Sequence, residues 1–385
     1  MLTIMLSAIG WALLLLAGIG MLYMAVATFT LNRFLGTKEQ PPPGNEAVTI
    51  LKPLHGWEPR LTDNLASFIE QDHAGAIQLL CGVQRPDDPA IETVRMLQTR
   101  YPGARIDLIV DETRHGSNGK ISNLINMMRH AAHDVLILSD SDMAVGRDYL
   151  SRLLAALRRP GTGAVTCLYG GRGDNGFCSR LAAAGSSYQF LPSLIFAKVH
   201  GMASPCMGST IALRRETLDA MGGFARFADI LADDHAMGQA VERLGLSIAV
   251  PPMLLTHAFT DARLRDLWRH ELRWAATVRG LAPAGYAGSF IAFPLPLALA
   301  ALPLHPSPAL AALAATLIVR FYTKRAVDRH ARVISASFWT LPLRDMLSFA
   351  IFIASFFVRS VDWRGTALNM VGDGRVTSST ETART

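Results

Sequence analysis

The sequence predicts an α/β protein, a mixed and mainly parallel sheet covered by helices and flanked by transmembrane helices. Three observations carry this expectation. Between about residues 46 and 279, short apolar β-type runs alternate with amphipathic stretches of helical period, as in a parallel sheet covered on both faces. Hydrophobic residues make up half of the 385, and the excess sits at the two ends. The fourth apolar run ends in Leu138-Ser139-Asp140-Ser141-Asp142, two carboxylates at i and i+2 just past a strand. Alternate side chains of a strand point the same way, and ligands of open α/β sheets bind at the carboxyl ends of the strands.

Residues 1–31 are almost all apolar and uncharged. The stretch is too long for a signal-peptide core and has no basic leader, so it reads as a spanning helix, which needs about 20 apolar residues. Arg33 and Lys38 follow it, which places the next domain in the cytoplasm. Residues 32–45, with Pro41-Pro42-Pro43, read as a stiff linker. Strands are expected at 47–51, 77–83, 106–110, 135–138 and 164–169, and helices at 61–71, 89–101, 120–132, 148–158 and 239–244. Gly170-Gly171-Arg172-Gly173-Asp174-Asn175-Gly176 reads as a flexible loop. A catalytic domain over 46–283 would end in an interfacial helix.

Residues 284–360 carry further membrane segments, at 289–304, 309–319 and 346–358. The net charge of +6 owes much to Arg320, Lys324, Arg325, Arg329 and Arg332. Between apolar runs this basic loop, 320–332, suits an anionic bilayer surface and not a nucleic acid. Residues 361–385 form a polar tail, disordered from about Gly372. The four cysteines form no Cys-x-x-Cys pair, so reduced thiols and no zinc are expected.

Four constellations carry chemistry. Asp88, after the second strand, has an acid that can accept hydrogen bonds from a base or ribose, or is part of a Pro-rich turn. Asp140 and Asp142 can share a hard cation, Mg2+ or Mn2+, with a substrate diphosphate, or lie in a surface turn. Asp233-Asp234 offers a general base, or the acidic start of a helix. In His270-Glu271-Leu272-Arg273-Trp274, Arg273 has a donor fork suited to diphosphate oxygens and Trp274 a flat apolar face; alternatively both anchor an interfacial helix.

In this order the motifs resemble the D, DxD, D, (Q/R)xxRW series of family 2-type glycosyltransferases, and within it glycosyltransferase family 21, the ceramide glucosyltransferase branch. Leu51-Lys52-Pro53-Leu54, Cys81-Gly82-Val83-Gln84 with Asp87-Asp88-Pro89-Ala90, and Lys120 with Asn123-Leu124 carry the closer likeness. The segment from Arg114 to Met127, Val165-Thr166-Cys167-Leu168-Tyr169 and the stretch from His270 to Ala275 look most like bacterial hopanoid biosynthesis-associated glycosyltransferases. The resemblance implies a GT-A-like nucleotide-sugar-binding domain in a multi-pass protein of a bacterial inner membrane, and an inverting, UDP-sugar-dependent transferase. Its sugar would be N-acetylglucosamine or glucose. The acceptor would be a lipid hydroxyl, such as that of bacteriohopanetetrol or, alternatively, ceramide; a processive polysaccharide synthase shares the four motifs. The resemblance also implies that Asp234 is the catalytic base, that Asp140 and Asp142 hold the metal, and that Asp88, Lys120, Asp140, His270, Arg273 and Trp274 bind the donor. His270 departs from the Gln or Arg of the motif.

Overall fold

The computed structural model describes residues 1–37, 41 and 44–358, and the backbone of 360–363, 366–371 and 375–378. Lys38, Glu39, Gln40, Pro42 and Pro43 of the expected linker lie outside the described residues. The chain divides into two compact units. Residues 44–169 and 204–260 form an α/β unit, and residues 1–36, 170–203 and 261–358 form an apolar helical unit. The expected catalytic stretch 46–283 is therefore shared between two units, because residues 170–203 and those from Asp261 pack with the apolar helices.

The α/β unit is built on strands β1 (Val48–Pro53), β2 (Ile77–Val83), β3 (Arg105–Val110), β4 (Val135–Ser139), β5 (Met143–Ala144), β6 (Thr162–Thr166), β7 (Leu168–Gly173, which runs on into the other unit), β8 (Thr210–Arg214), β9 (Ser247–Ala249) and β10 (Leu254–Phe259). The main sheet has the order β3-β2-β1-β4-β8-β6-β9. Only β8 runs against the others, pairing antiparallel with β4 and β6. All of Val135-Leu136-Ile137-Leu138-Ser139 is buried, as expected for a central strand covered on both faces. Leu51, Leu80, Leu136 and Leu138 pack with Leu124 and Met127 of the helix Gly119–Met128 and with Met237 and Val241 of the helix Asp233–Arg243. Burial of each such side chain is worth about 1.5–3 kcal/mol.

The first apolar segment is a helix over Leu2–Leu35, the one described helix whose length and composition alone suffice to cross a membrane. A second stretch, Pro283–Ala292 with Pro294–Ala301, passes that test only as a pair bent by 60°. The helices Gly176–Gly185, Leu191–Val199, Leu264–Leu281, Pro306–His330 and Leu341–Ser355 belong to the same unit. The basic segment 320–332 is not a loop: most of it is the C-terminal half of the helix Pro306–His330, with Arg320 and Lys324 buried and Arg325 and Arg329 exposed. Arg320 meets Asp345, Lys324 meets Asp328, and Arg344 meets Glu271, so each inward cation has a counter-charge.

The glycine-rich segment also differs from expectation. Gly170 to Gly173 belong to β7 and are largely buried. Here glycine permits close approach: a Cβ on Gly171 would lie 2.5 Å from the Cα of Ala183, and one on Gly173 would lie 2.5 Å from the backbone of Arg180. The expected strand 164–169 is two strands broken at Cys167. The described parts of the tail are extended, Ser360–Trp363 pairing antiparallel with Thr366–Val371. The four cysteines are free thiols.

Gly82 tests the packing of the helix Gly119–Met128 on β2. Its carbonyl accepts a hydrogen bond from Asn123 Nδ2 at 2.8 Å. An added Cβ would lie 2.4 Å from Asn123 Oδ1 and 2.5 Å from Met127 Sδ. Gly82→Ala should therefore cost about 1–3 kcal/mol of stability, read as a lower unfolding midpoint.

Candidate active site

The sheet order determines which residues meet. β1 and β4 are parallel neighbours, so Lys52 near the end of β1 lies beside the Ser139-Asp140 end of β4. β8 is antiparallel to β4 and begins opposite Ser139, which brings Gly208 and Ser209 to the same edge. β10 pairs antiparallel with β5, with His257 opposite Met143 and so next to Asp142. The acidic pair thus stands at the carboxyl ends of the parallel strands, where sheet direction changes.

Lys52 is fully buried. Its Nζ donates to Ser139 Oγ at 3.1 Å and to the Asp140 carbonyl at 2.8 Å, and lies 3.5 Å from the centroid of the Phe68 ring. Burial pulls its ammonium down to about 7, against the opposing pull of Asp140 and Asp142.

Lys120 enters from the helix Gly119–Met128, whose start is fixed by Asn118: its Oδ1 accepts from Ile121 N at 3.1 Å. Lys120 Nζ lies 2.6 Å from Asp140 Oδ1 and donates to the Gly208 carbonyl at 3.1 Å. Burial opposes its charge, but Asp140 and then Asp233 outweigh it and hold the ammonium above its ordinary range. Gly208 is also the link to the second acidic pair. Its N–H donates to Asp234 Oδ2 at 2.9 Å, while Asp234 Oδ1 accepts from His235 N at 2.7 Å. A Cβ at position 208 would lie 3.1 Å from that Asp234 oxygen, so glycine keeps the approach open. Asp233 and Asp234 begin the helix Asp233–Arg243, and the two readings of this pair coexist: a helix start that also fixes a carboxylate. Burial pushes Asp233 up to about 7, and its Oδ2 has no hydrogen-bond partner among the described residues.

Asp142 Oδ2 lies 3.0 Å from His257 Nε2. Burial would raise the Asp142 carboxyl, yet His257 holds it below its usual range, and Asp142 in turn raises the imidazole despite its burial. Burial dominates at Asp140, which is raised although Lys120 opposes the shift. Asp142 Oδ1 is buried and lacks a hydrogen-bond partner among the described residues. The described residues hold no cluster of three His, Cys, Asp or Glu side chains arranged to cage a metal. Two adjacent carboxylates with an open oxygen nevertheless fit Mg2+ or Mn2+, since such ions take one or two carboxylates and complete their shell with phosphates and water.

The loop after β1 connects the first acid to this cluster. Asp88 is 4% exposed and accepts from Gly56 N through both carboxylate oxygens, at 2.9 and 3.0 Å, and from Ala90 N at 2.9 Å. Two residues on, Glu58 Oε1 accepts from Ser141 Oγ at 2.6 Å. Asp88 is thus a loop clamp, whereas Asp87 is exposed and paired with Arg85.

Asp88, Lys120, Asp140, Asp142, Asp233 and Asp234 therefore belong to one linked constellation. His270, Arg273 and Trp274 lie in the other unit, on the helix Leu264–Leu281, where His270 packs on Trp274 at 4.3 Å between ring centroids and lies 3.3 Å from Asp261. Three residues escaped the sequence reading: Lys52, Glu58 and His257. A signal existed for one of them, because Lys52 interrupts an apolar strand run.

Burial pushes the Glu58 carboxyl up to about 7, reinforced by Asp142. A carboxyl raised on folding contributes stability below the unfolded glutamate range and loses it as pH rises through about 7. Glu58→Gln lacks this dependence. In metal-free buffer its melting temperature relative to wild type should increase by roughly 2–6 °C from about pH 5 to about pH 8.5.

The chain is similar to the Caenorhabditis elegans proteins ceramide glucosyltransferase 3, 24% identical over 212 residues (53% of this chain and 44% of that protein), and ceramide glucosyltransferase 1, 25% identical over 249 residues (63% and 53%). It thus spans about half the length of these relatives. Among solved structures, the mannosyltransferase PcManGT from Pyrobaculum calidifontis, in complex with GDP-Man and Mn2+, shares the fold: TM-score 0.51 and 20% identity, over 91% of this chain and 99% of that one. The α/β unit is accordingly GT-A-like, with a mixed, mainly parallel sheet. With the profile of Glycosyl transferase family 21 matching residues 12–376, the chain belongs to that family.

Proposed function

We propose that the protein is a membrane-bound, inverting glycosyltransferase that moves one sugar from a UDP-sugar to a lipid hydroxyl. The observation that carries the reading is the convergence of Asp140, Lys120 and Asp234 on the strand-end edge at Gly208, with Asp142 two residues beyond Asp140. Sugar transfer builds positive charge at the anomeric carbon and negative charge on the departing diphosphate. Asp140 and Asp142 would hold a Mg2+ or Mn2+ ion, which when bound neutralises diphosphate charge. Lys120 stands beside Asp140 as a second, protein-borne cation for the same charge. Asp234, oriented by two backbone N–H groups, accepts the proton of the acceptor hydroxyl. One displacement then inverts the anomeric centre without a covalent sugar–enzyme intermediate. Asp233 is the alternative base, and its open oxygen and raised pKa favour a proton-holding role. Asp88 would line the uridine side; for His270, Arg273 and Trp274 the support is the sequence motif alone.

The apolar N-terminal helix supports a membrane location, with the α/β unit on the cytoplasmic side of a bacterial inner membrane and exposed Arg325 and Arg329 toward anionic lipid. The names of the relatives support ceramide as the acceptor. The segment Arg114 to Met127 supports a hopanoid polyol such as bacteriohopanetetrol, with N-acetylglucosamine as the sugar.

Membranes containing the protein, given labelled UDP-glucose or UDP-N-acetylglucosamine and either ceramide or the hopanoid polyol, should yield a lipid carrying a single sugar, identified by mass spectrometry. A polymeric product, or no glycolipid from any combination, overturns the reading. Asp234→Asn should lower transfer by about 10²–10⁴-fold while donor affinity, measured by calorimetry with Mn2+, stays within about threefold.

A further inference from the structure

Within the apolar unit, the helices Leu2–Leu35, Leu191–Val199, Pro306–His330 and Leu341–Ser355 border a partly open cleft. Its polar lining includes Tyr23, Gln189, Ser193, Arg320, Thr323 and Asp345, and Met24, Ala27, Pro192 and Ala292 supply apolar walls. About 20 Å³ of it is open to a water-sized group. The same helices turn Leu22, Val26, Phe29, Ile318, Phe321 and Tyr322 outward, so these polar groups sit inside an otherwise apolar set. Ionisable groups in such surroundings are costly and face the bundle interior or a ligand path.

Arg320 is 2% exposed. Its Nη2 lies 2.5 Å from Asp345 Oδ1 and its Nη1 donates to the Tyr188 carbonyl at 2.5 Å, yet Nε has no hydrogen-bond partner among the described residues. A buried donor of this kind beside a cleft calls for a partner that the described residues do not supply. The charges specify which. Asp345 already neutralises Arg320, so neither an anion nor a cation finds an uncompensated partner. What remains is the Arg320 Nε–H, a donor, and the Gln189 amide, which both donates and accepts; the Ser193 hydroxyl beside them already donates to the Gln189 carbonyl at 2.9 Å and is linked to Tyr23. That set matches a neutral group able both to donate and to accept.

The level of the cleft points the same way. Thr28 meets Thr323 at 2.7 Å and Asn32 meets His330 at 3.2 Å, so the N-terminal helix and Pro306–His330 run in the same direction. Arg320 stands where the latter passes from apolar residues 309–319 to the charged run, the level at which a lipid's head joins its chains. We propose that this cleft binds the hydroxyl- or amide-bearing head of a neutral membrane lipid, the chemical class of the acceptor proposed above. Assigning that lipid as the acceptor rests on the reading given above; the binding does not.

The test uses the full chain in phosphatidylcholine nanodiscs, with tritiated short-chain ceramide, a tritiated hopanoid polyol and tritiated phosphatidic acid as probes. Wild type should retain at least one of the neutral lipids in preference to phosphatidic acid. Gln189→Leu, which removes the amide, and Ala292→Leu, which adds bulk at the cleft wall, should each weaken that retention by about tenfold. Ser193→Ala, which adds no volume, should weaken it by about threefold even where the larger changes impair folding. Equal retention by wild type and all folded variants, preference for phosphatidic acid, or no retention of either neutral lipid overturns the proposal. UDP release from a UDP-sugar is followed separately, so loss of transferase activity and loss of lipid binding are told apart.

Discussion

The α/β unit depends on the interleaving of opposite charges at the ends of its central strands. Asp140, Asp142, Asp233 and Glu58 crowd one half-buried edge, and carboxylates so placed cannot all ionise without counter-charge. Lys120 sits between Asp140 and Gly208, His257 sits on Asp142, and Lys52 reaches beneath Asp140 from β1. Each cation comes from a different element, so the sheet order, the helix Gly119–Met128 and β10 must all be in register before the charges balance. The residual imbalance appears as groups poised near neutrality, namely Lys52, Glu58 and Asp233. Asp142 and Asp233 each keep one carboxylate oxygen without a hydrogen-bond partner among the described residues.

The parallel half of the sheet was legible because β1, β2 and β4 are buried on both faces and read as largely apolar runs; the expected 77–83 coincides with β2. The antiparallel half was not. β8 and β9 are short, and β10 carries a Thr and a His within its apolar run, so no period of two or 3.6 stands out. Asp140 and Asp142 were legible because position along a strand determines direction. His257 and Glu58 were not, because their place beside that pair comes from tertiary contact over 83 to 115 residues of chain.

The apolar unit departs from the sequence reading for a related reason. A run of cations between apolar stretches reads as a surface loop, but helical spacing turns Arg320 and Lys324 to one face and Arg325 and Arg329 to another. The inward pair finds Asp345 and Asp328, and the outward pair stays at the surface. Composition registers the charges without registering which way they face. The glycines at 170–173 show the same gap, since small size serves close packing as readily as mobility.

The path of the chain between Tyr169 and Ser204 has a consequence for biogenesis. The central strand β4 gains its second neighbour, β8, only from residues 210–214, which the ribosome delivers after a long excursion into another unit. Until then the nascent four-stranded half-sheet presents an open, apolar edge, the kind of surface that recruits other chains. Truncation at any single point cannot isolate the α/β unit. A soluble fragment would have to bridge 169 to 204 with a substitute turn, and would exchange a delayed partner for one that arrives promptly.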